Sequence, residues 1–125
     1  VATHIEAIAE RYAIREVCYD PWRFRSEALR LEESGLPMVE FPQSMSRMVP
    51  ASEKLYAAII EGRLTHPDDP DLNAHVANAV AKQTPRGWRI DKSHPDDQID
   101  AVVALAMAID RAEQPVERTQ LVGWL

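Results

Sequence analysis

The sequence predicts an α/β fold of short parallel strands and helices with an added β-hairpin. Three observations carry that expectation. Two β-rich runs, at 14–19 and 38–41, flank a stretch of helical periodicity, and each is followed closely by a proline, Pro21 and Pro42. A strand, helix, strand order with short links favours parallel pairing through a crossover. Further along, Thr84-Pro85-Arg86-Gly87 is a turn sequence between two segments that can pair antiparallel.

The elements follow in order. Ile5, Ile8, Ala9 and Tyr12 recur at helical spacing and predict a helix over 2–12. The strand at 14–19 stops at Asp20-Pro21, because proline cannot donate to a ladder. Asp20 is thereby expected at the carboxyl end of a strand, where open α/β sheets place their ligands. Residues 22–34 are helical by pattern (Phe24, Ala28, Leu29, Leu31), with Ser34-Gly35 as the stop. A third helix is predicted over 52–61, with a start as early as Ser44 left open. Residues 65–71 read as a polar loop and 72–75 as a short helix. The hairpin strands are expected at 76–82 and 88–92. Ser93-His94-Pro95-Asp96-Asp97 reads as a helix start. It precedes an apolar helix over 99–112 that carries Ile99, Val102, Val103, Leu105, Ala106, Met107 and Ile109.

These elements form one domain, 1–112, followed by a tail, 113–125. In the tail, Leu121, Val122, Trp124 and Leu125 could dock or bind a partner. Two parallel strands cannot bury the faces of three or more apolar helices. Further strands are therefore expected upstream, and the chain, which begins at Val1, reads as a piece of a larger protein.

Composition narrows the function classes. Of 125 residues, 46% are hydrophobic and 27% charged, which is ordinary for a globular chain. The lone cysteine, Cys18, excludes an internal disulfide and a cysteine-built zinc site, and its apolar neighbours make it a small hydrophobe rather than a nucleophile. No apolar stretch approaches the roughly 20 residues needed to span a bilayer, and no signal peptide is visible, so a cytosolic setting is expected. The formal net charge of −6 counts against simple DNA binding. It does not count against a metal-dependent enzyme, because clustered carboxylates become useful once a cation joins them.

Two carboxylates stand out. Asp20 at a strand end and Asp100 near a helix start supply hard oxygen ligands suited to Mg²⁺ or Mn²⁺. A pair of ions about 3.5–4 Å apart could activate water and stabilise a leaving oxygen. Spacing alone leaves a blander reading open, and favours it: a turn residue before proline and a helix-start aspartate. Asp97 precedes Asp100 by three residues, which would put both on one helix face. Asp100 is flanked by Ile99 and Ala101 and is expected at the edge of the core. Lys82, Arg86, Arg89 and Lys92 lie on the hairpin with Trp88, a pattern able to contact a phosphate backbone or simply to face solvent. No two of His4, His66, His75 and His94 have metal-binding spacing on one helix, and His75 reads as structural. No phosphate-cradling glycine loop and no serine or cysteine nucleophile with a base is present.

The ordered set of motifs is more specific than any one of them. Tyr19-Asp20-Pro21-Trp22-Arg23-Phe24, Val39-Glu40-Phe41-Pro42-Gln43, Met48, Pro50-Ala51, Glu53-Lys54-Leu55-Tyr56, Gly62-Arg63-Leu64, His66, His75, Asn78-Ala79-Val80, Lys92 and the run from Ile99 to Ala108 occur in that order. The string, over residues 2–112, resembles the end of the large terminase subunit of tailed bacteriophages. The resemblance implies a ribonuclease H-like nuclease domain that cuts concatemeric double-stranded viral DNA, downstream of an ATPase that drives packaging. It implies three acidic ligands for Mg²⁺ or Mn²⁺. One lies on a first strand absent from this chain, Asp20 matches the second and Asp100 the third, with Asp97 as an auxiliary. It also implies a hairpin near the active site with Lys92 close by, contacts with portal protein and the small terminase subunit, oligomerisation only in the assembled motor, and the cytoplasm of the host of a virus or prophage. With one acid missing, the fragment alone is expected to bind metal poorly and cut little DNA. Two other readings stay open: a non-catalytic docking module of the packaging motor, and another ribonuclease H-like enzyme such as a recombinase.

Overall fold

The computed structural model describes residues 1–115, so the expected docking role of Leu121 to Leu125 lies outside the described residues. The chain runs α1 (Ala2–Arg11), β1 (Val17–Tyr19), α2 (Arg25–Glu33), β2 (Met38–Glu40), α3 (Met45–Ile60), α4 (Pro70–Asn78), β3 (Ala79–Thr84), β4 (Gly87–Lys92) and α5 (Asp100–Ala112). The mixed α/β class is as predicted. β1 and β2 pair in parallel, with Val17 opposite Met38 and Tyr19 opposite Glu40. β3 and β4 form the antiparallel hairpin, from Ala79 opposite Lys92 to Thr84 opposite Gly87.

Several boundaries differ from the sequence reading, each for a local reason. Residues 14–16 carry no ladder, and β1 begins only where Val17 N–H finds the Pro37 carbonyl at 2.8 Å. Residues 22–24 form a turn rather than helix, because Asp20 captures the Trp22 N–H and Arg23 takes φ 64. The early start of α3 is the correct one. Ser44 is its N-cap residue, and Pro50 lies within the helix. Residues 76–78, expected as strand, belong to α4. Asp69 caps α4 through Leu72 N–H, with Pro70 in the first turn, a strong start signal that lengthens the helix. α4 then passes into β3 with no intervening loop. Residues 93–96 form a bend and turn, and α5 starts only at Asp100.

The core sits between α3, α5 and the hairpin. Phe41, Met48, Ala51, Leu55, Ile90, Val102, Ala106 and Met107 form one buried cluster, with Cys18 and Trp88 packed against it. Such close-packed burial contributes about 1.5–3 kcal/mol per large side chain. The hairpin is pinned to α3 at two points. Ile90 N–H donates to the buried Ser52 Oγ at 3.0 Å. Gly87 has φ 129, and a Cβ there would meet Val49 Cγ1 at 3.1 Å, so the hairpin tip approaches α3 as closely as glycine permits. Ile14, Glu16 and Cys18 line an open groove with Ala108 and Arg111 of α5. Not every apolar face is covered: Leu29, Tyr56, Ile59 and Ile60 are each more than half exposed. No helix among the described residues is long and apolar enough to cross a membrane.

Candidate functional site

Asp20 directly follows β1, at the strand end where the sequence places it. Its Oδ1 accepts from Trp22 N–H at 2.8 Å, closing a side-chain turn around Pro21. Its Oδ2 accepts from Gln43 N–H at 3.2 Å, just past the end of β2. The carboxylate is thereby held by two backbone donors, and its oxygens keep lone pairs for a cation. Arg23, in the same turn, is the one non-glycine residue with positive φ among the described residues. That conformation is uncommon for an arginine and marks a constrained bend beside Asp20.

Gln43 is the joint of this region. Its N–H serves Asp20, its carbonyl accepts from Arg89 at 3.4 Å, and its side-chain amide reaches Met107 Sδ at 3.7 Å. The end of β1, the exit of β2, strand β4 and helix α5 therefore converge on one residue. The motif string contains Gln43, but spacing gives it no role. The only signal is its place one residue beyond a strand-ending proline.

Asp100 is the first residue of α5 and is exposed, not at the edge of the core as expected. The apolar stripe of α5 turns the other way, toward Val102, Ala106 and Met107, and leaves position 100 on the solvent side. Among the described residues no side-chain hydrogen bond or ion pair engages its carboxylate. Asp97 does not share a helix face with it, because Asp97 precedes the helix. Its Oδ2 accepts from His94 N–H at 3.1 Å and its own N–H bonds the His94 carbonyl, so Asp97 closes a turn. His75, read as structural, donates nothing here. Its Nδ1 accepts from Ala101 N–H at 2.9 Å.

The basic residues divide. Lys82 pairs with Asp91 at 3.3 Å across the hairpin. The Lys92 N–H, and then Lys82, hold the Asp91 carboxyl below its ordinary value. Arg89 donates to the Gln43 carbonyl, while Arg86 at the turn and Lys92 at the base are exposed. Asp20 and Asp100 have the right chemistry for Mg²⁺ or Mn²⁺, both being hard carboxylate donors. No group of three His, Cys, Asp or Glu side chains able to hold a metal occurs among the described residues. Asp20 and Asp100 thus match a divalent ion in donor type only. Away from this region, Cys18 is half-buried and burial pushes its thiol pKa up, which suits packing and not nucleophilic attack.

Comparison with known proteins gives a consistent result. The family model described as terminase large subunit, endonuclease domain, matches residues 1–115. The large terminase subunit of Enterobacteria phage HK97 is 33% identical over 120 residues, covering 93% of this chain and 24% of that protein. The crystal structure of the HK97 large terminase superposes with a TM-score of 0.77 at 29% identity, over 88% of this chain and 24% of that one. The large terminase nuclease from thermophilic phage G20c superposes with a TM-score of 0.72 at 21% identity, over 88% of this chain and 60% of that one. The chain spans about a quarter of the length of the HK97 protein.

Proposed function

Because the chain belongs to the family of terminase large-subunit endonuclease domains, we propose that it forms part of the nuclease that cuts concatemeric double-stranded DNA during phage packaging. The observation that carries this reading is the convergence at Gln43. Gln43 bonds Asp20 through its N–H, Arg89 through its carbonyl and Met107 through its side-chain amide, and Met107 lies on α5, the helix that begins seven residues earlier with Asp100.

In this reading Asp20 and Asp100 would hold Mg²⁺ or Mn²⁺, with two ions the expected number. The ions would supply Lewis-acid stabilisation of the scissile phosphate and a nucleophilic water at neutral pH. The protein's own groups do the rest. The backbone bonds from Trp22 and Gln43 keep the Asp20 carboxylate from swinging away. Arg89, Arg86 and Lys92 present positive charge to the phosphate backbone, and Lys82 joins them when it leaves Asp91. Such contacts give no sequence preference by themselves. Asp97, engaged in its turn, is an auxiliary at most. Portal protein and the small terminase subunit are the proposed protein partners, and the host cytoplasm the proposed setting. The family does not favour the recombinase reading, and no observation among the described residues favours a purely docking role.

The test is cleavage of linear DNA by the intact large subunit with Mg²⁺ or Mn²⁺. Asp20→Asn and Asp100→Asn are each expected to lower the rate by at least about a hundredfold while the variants stay folded. Full activity in either variant would remove that residue from the site. The isolated 125-residue chain is expected to bind Mn²⁺ weakly and cut little DNA. Robust cutting by it, lost in Asp20→Ala, would contradict that expectation.

A further inference from the structure

We propose that His75 is a positioning residue: it caps the start of α5 from a neighbouring helix and thereby fixes Asp100. The first N–H groups of a helix have no partner inside it and need an acceptor from elsewhere. The usual supplier is a Ser, Thr, Asp or Asn at the N-cap. In α5 that position is Ile99, which has no acceptor on its side chain. The acceptor comes instead from the last turn of α4, where His75 Nδ1 takes the Ala101 N–H at 2.9 Å.

This bond fixes the ring chemistry. A nitrogen that accepts carries no proton, so the neutral imidazole holds its proton on Nε2. The same turn of α4 grips the approach to α5 a second time. Asn78 Nδ2 donates to the Gln98 carbonyl at 3.1 Å, and the Asn78 carbonyl accepts from both the N–H and the Oγ of Ser93, each at 2.9 Å. Asp100 thus sits between two residues, 98 and 101, that α4 holds, while its own exposed side chain makes no hydrogen bond among the described residues. Its direction depends on where the helix begins, and His75 sets that. A misplacement of about 1 Å at a reacting centre can cost on the order of a hundredfold in rate.

The functional arm rests on the nuclease reading; the structural arm does not. The experiment uses the intact large subunit. His75→Asn places an oxygen near the position of Nδ1 and keeps the acceptor. His75→Gln places it near Nε2, and His75→Ala removes it. His75→Ala and His75→Gln are expected to lower kcat for DNA cleavage roughly ten- to hundredfold at unchanged KM for DNA, and His75→Asn to restore most of it. Hydrogen exchange at the Ala101 amide should quicken in His75→Ala and return in His75→Asn. Histidine-labelled ¹⁵N NMR of the unaltered protein should show the His75 proton on Nε2, a readout that needs no variant to fold. A proton on Nδ1, or equal activity of the Ala and Asn variants, overturns the inference. If Asp100→Asn is inactive while His75→Ala cuts normally, the positioning role falls and the nuclease reading stands. If Asp100→Asn cuts normally, Asp100 leaves the site and the positioning role falls, while the nuclease reading stands on Asp20.

Discussion

A single carboxylate, Asp110, interrupts the apolar face of α5 and is only 7% exposed. It sits three and four residues after Met107 and Ala106, on the stripe that enters the core, so the sequence shows a charge on a buried face. It does not show the partner, Lys54 of α3, because that lysine is 56 residues away and lysines usually face solvent. Removing one member of a buried pair strands the other charge. Lys54→Ala is expected to destabilise the fold by about 2 kcal/mol, below the ~3–5 kcal/mol of fully buried pairs, since the Lys54 side chain is 34% exposed. Denaturant melts check this. The double change Lys54→Met with Asp110→Leu should recover most of the loss, and a double variant worse than the single would refute the account. A second pair gives a pH signature. Two hydrogen bonds from Arg111 hold the Glu16 carboxyl below its ordinary value of 4.5, and the charge of Arg111 adds to them. The folded value lies under the unfolded one. The stabilisation is therefore complete above about pH 4.5 and disappears as pH falls through the folded value. Both groups are partly solvated, so the effect is small. Thermal melts of Glu16→Gln should approach the unaltered protein as pH drops below that point; a gap that widens toward acid would contradict it.

At the scale of elements, periodicity and punctuation locate the five helices and both strand pairs of the described residues, and the differences fall at junctions. The clearest is at 76–78. Val76 is β-branched and pointed to strand, but Asp69 and Pro70 start a helix that holds these residues until the chain enters the hairpin. Local propensity lost to a capped helix already under way. Asp69→Ala is expected to cost about 1 kcal/mol, read as a lower melting temperature and faster exchange in α4. The hairpin was visible from its turn residues, yet its attachment to α3 was not. Ser52 looked like the start of a helix and is instead a buried hydroxyl inside one, serving a backbone N–H 38 residues away. Ser52→Ala leaves that N–H buried and unpaired, for an expected loss of about 1–3 kcal/mol. An unchanged melting temperature would show that water reaches the site.

For the whole molecule, the sequence contained the two carboxylates, and what it lacked was their setting. Asp20 could be placed because a strand end and a proline are local facts. Asp100 was placed correctly in order but not in exposure, since the apolar neighbours Ile99 and Ala101 said nothing of which way the helix turns. Gln43 has no legible role and His75 reads as structural without a partner, because their contacts lie 23 and 26 residues away in sequence. The seamless passage from α4 into β3 has a mechanical meaning. With no slack between Asn78 and Ala79, the hairpin and the His75 turn form one lever whose far arm carries the basic residues. In the proposed nuclease reading, DNA held by that arm would load the grip on α5. Linkage makes the relation mutual: whatever steadies the acidic helix start should also steady the distant hairpin tip. Slower amide exchange at Thr84, Arg86 and Gly87 of the intact protein on adding Mn²⁺ alone would reveal this stiffness, and its absence would show that the joint yields.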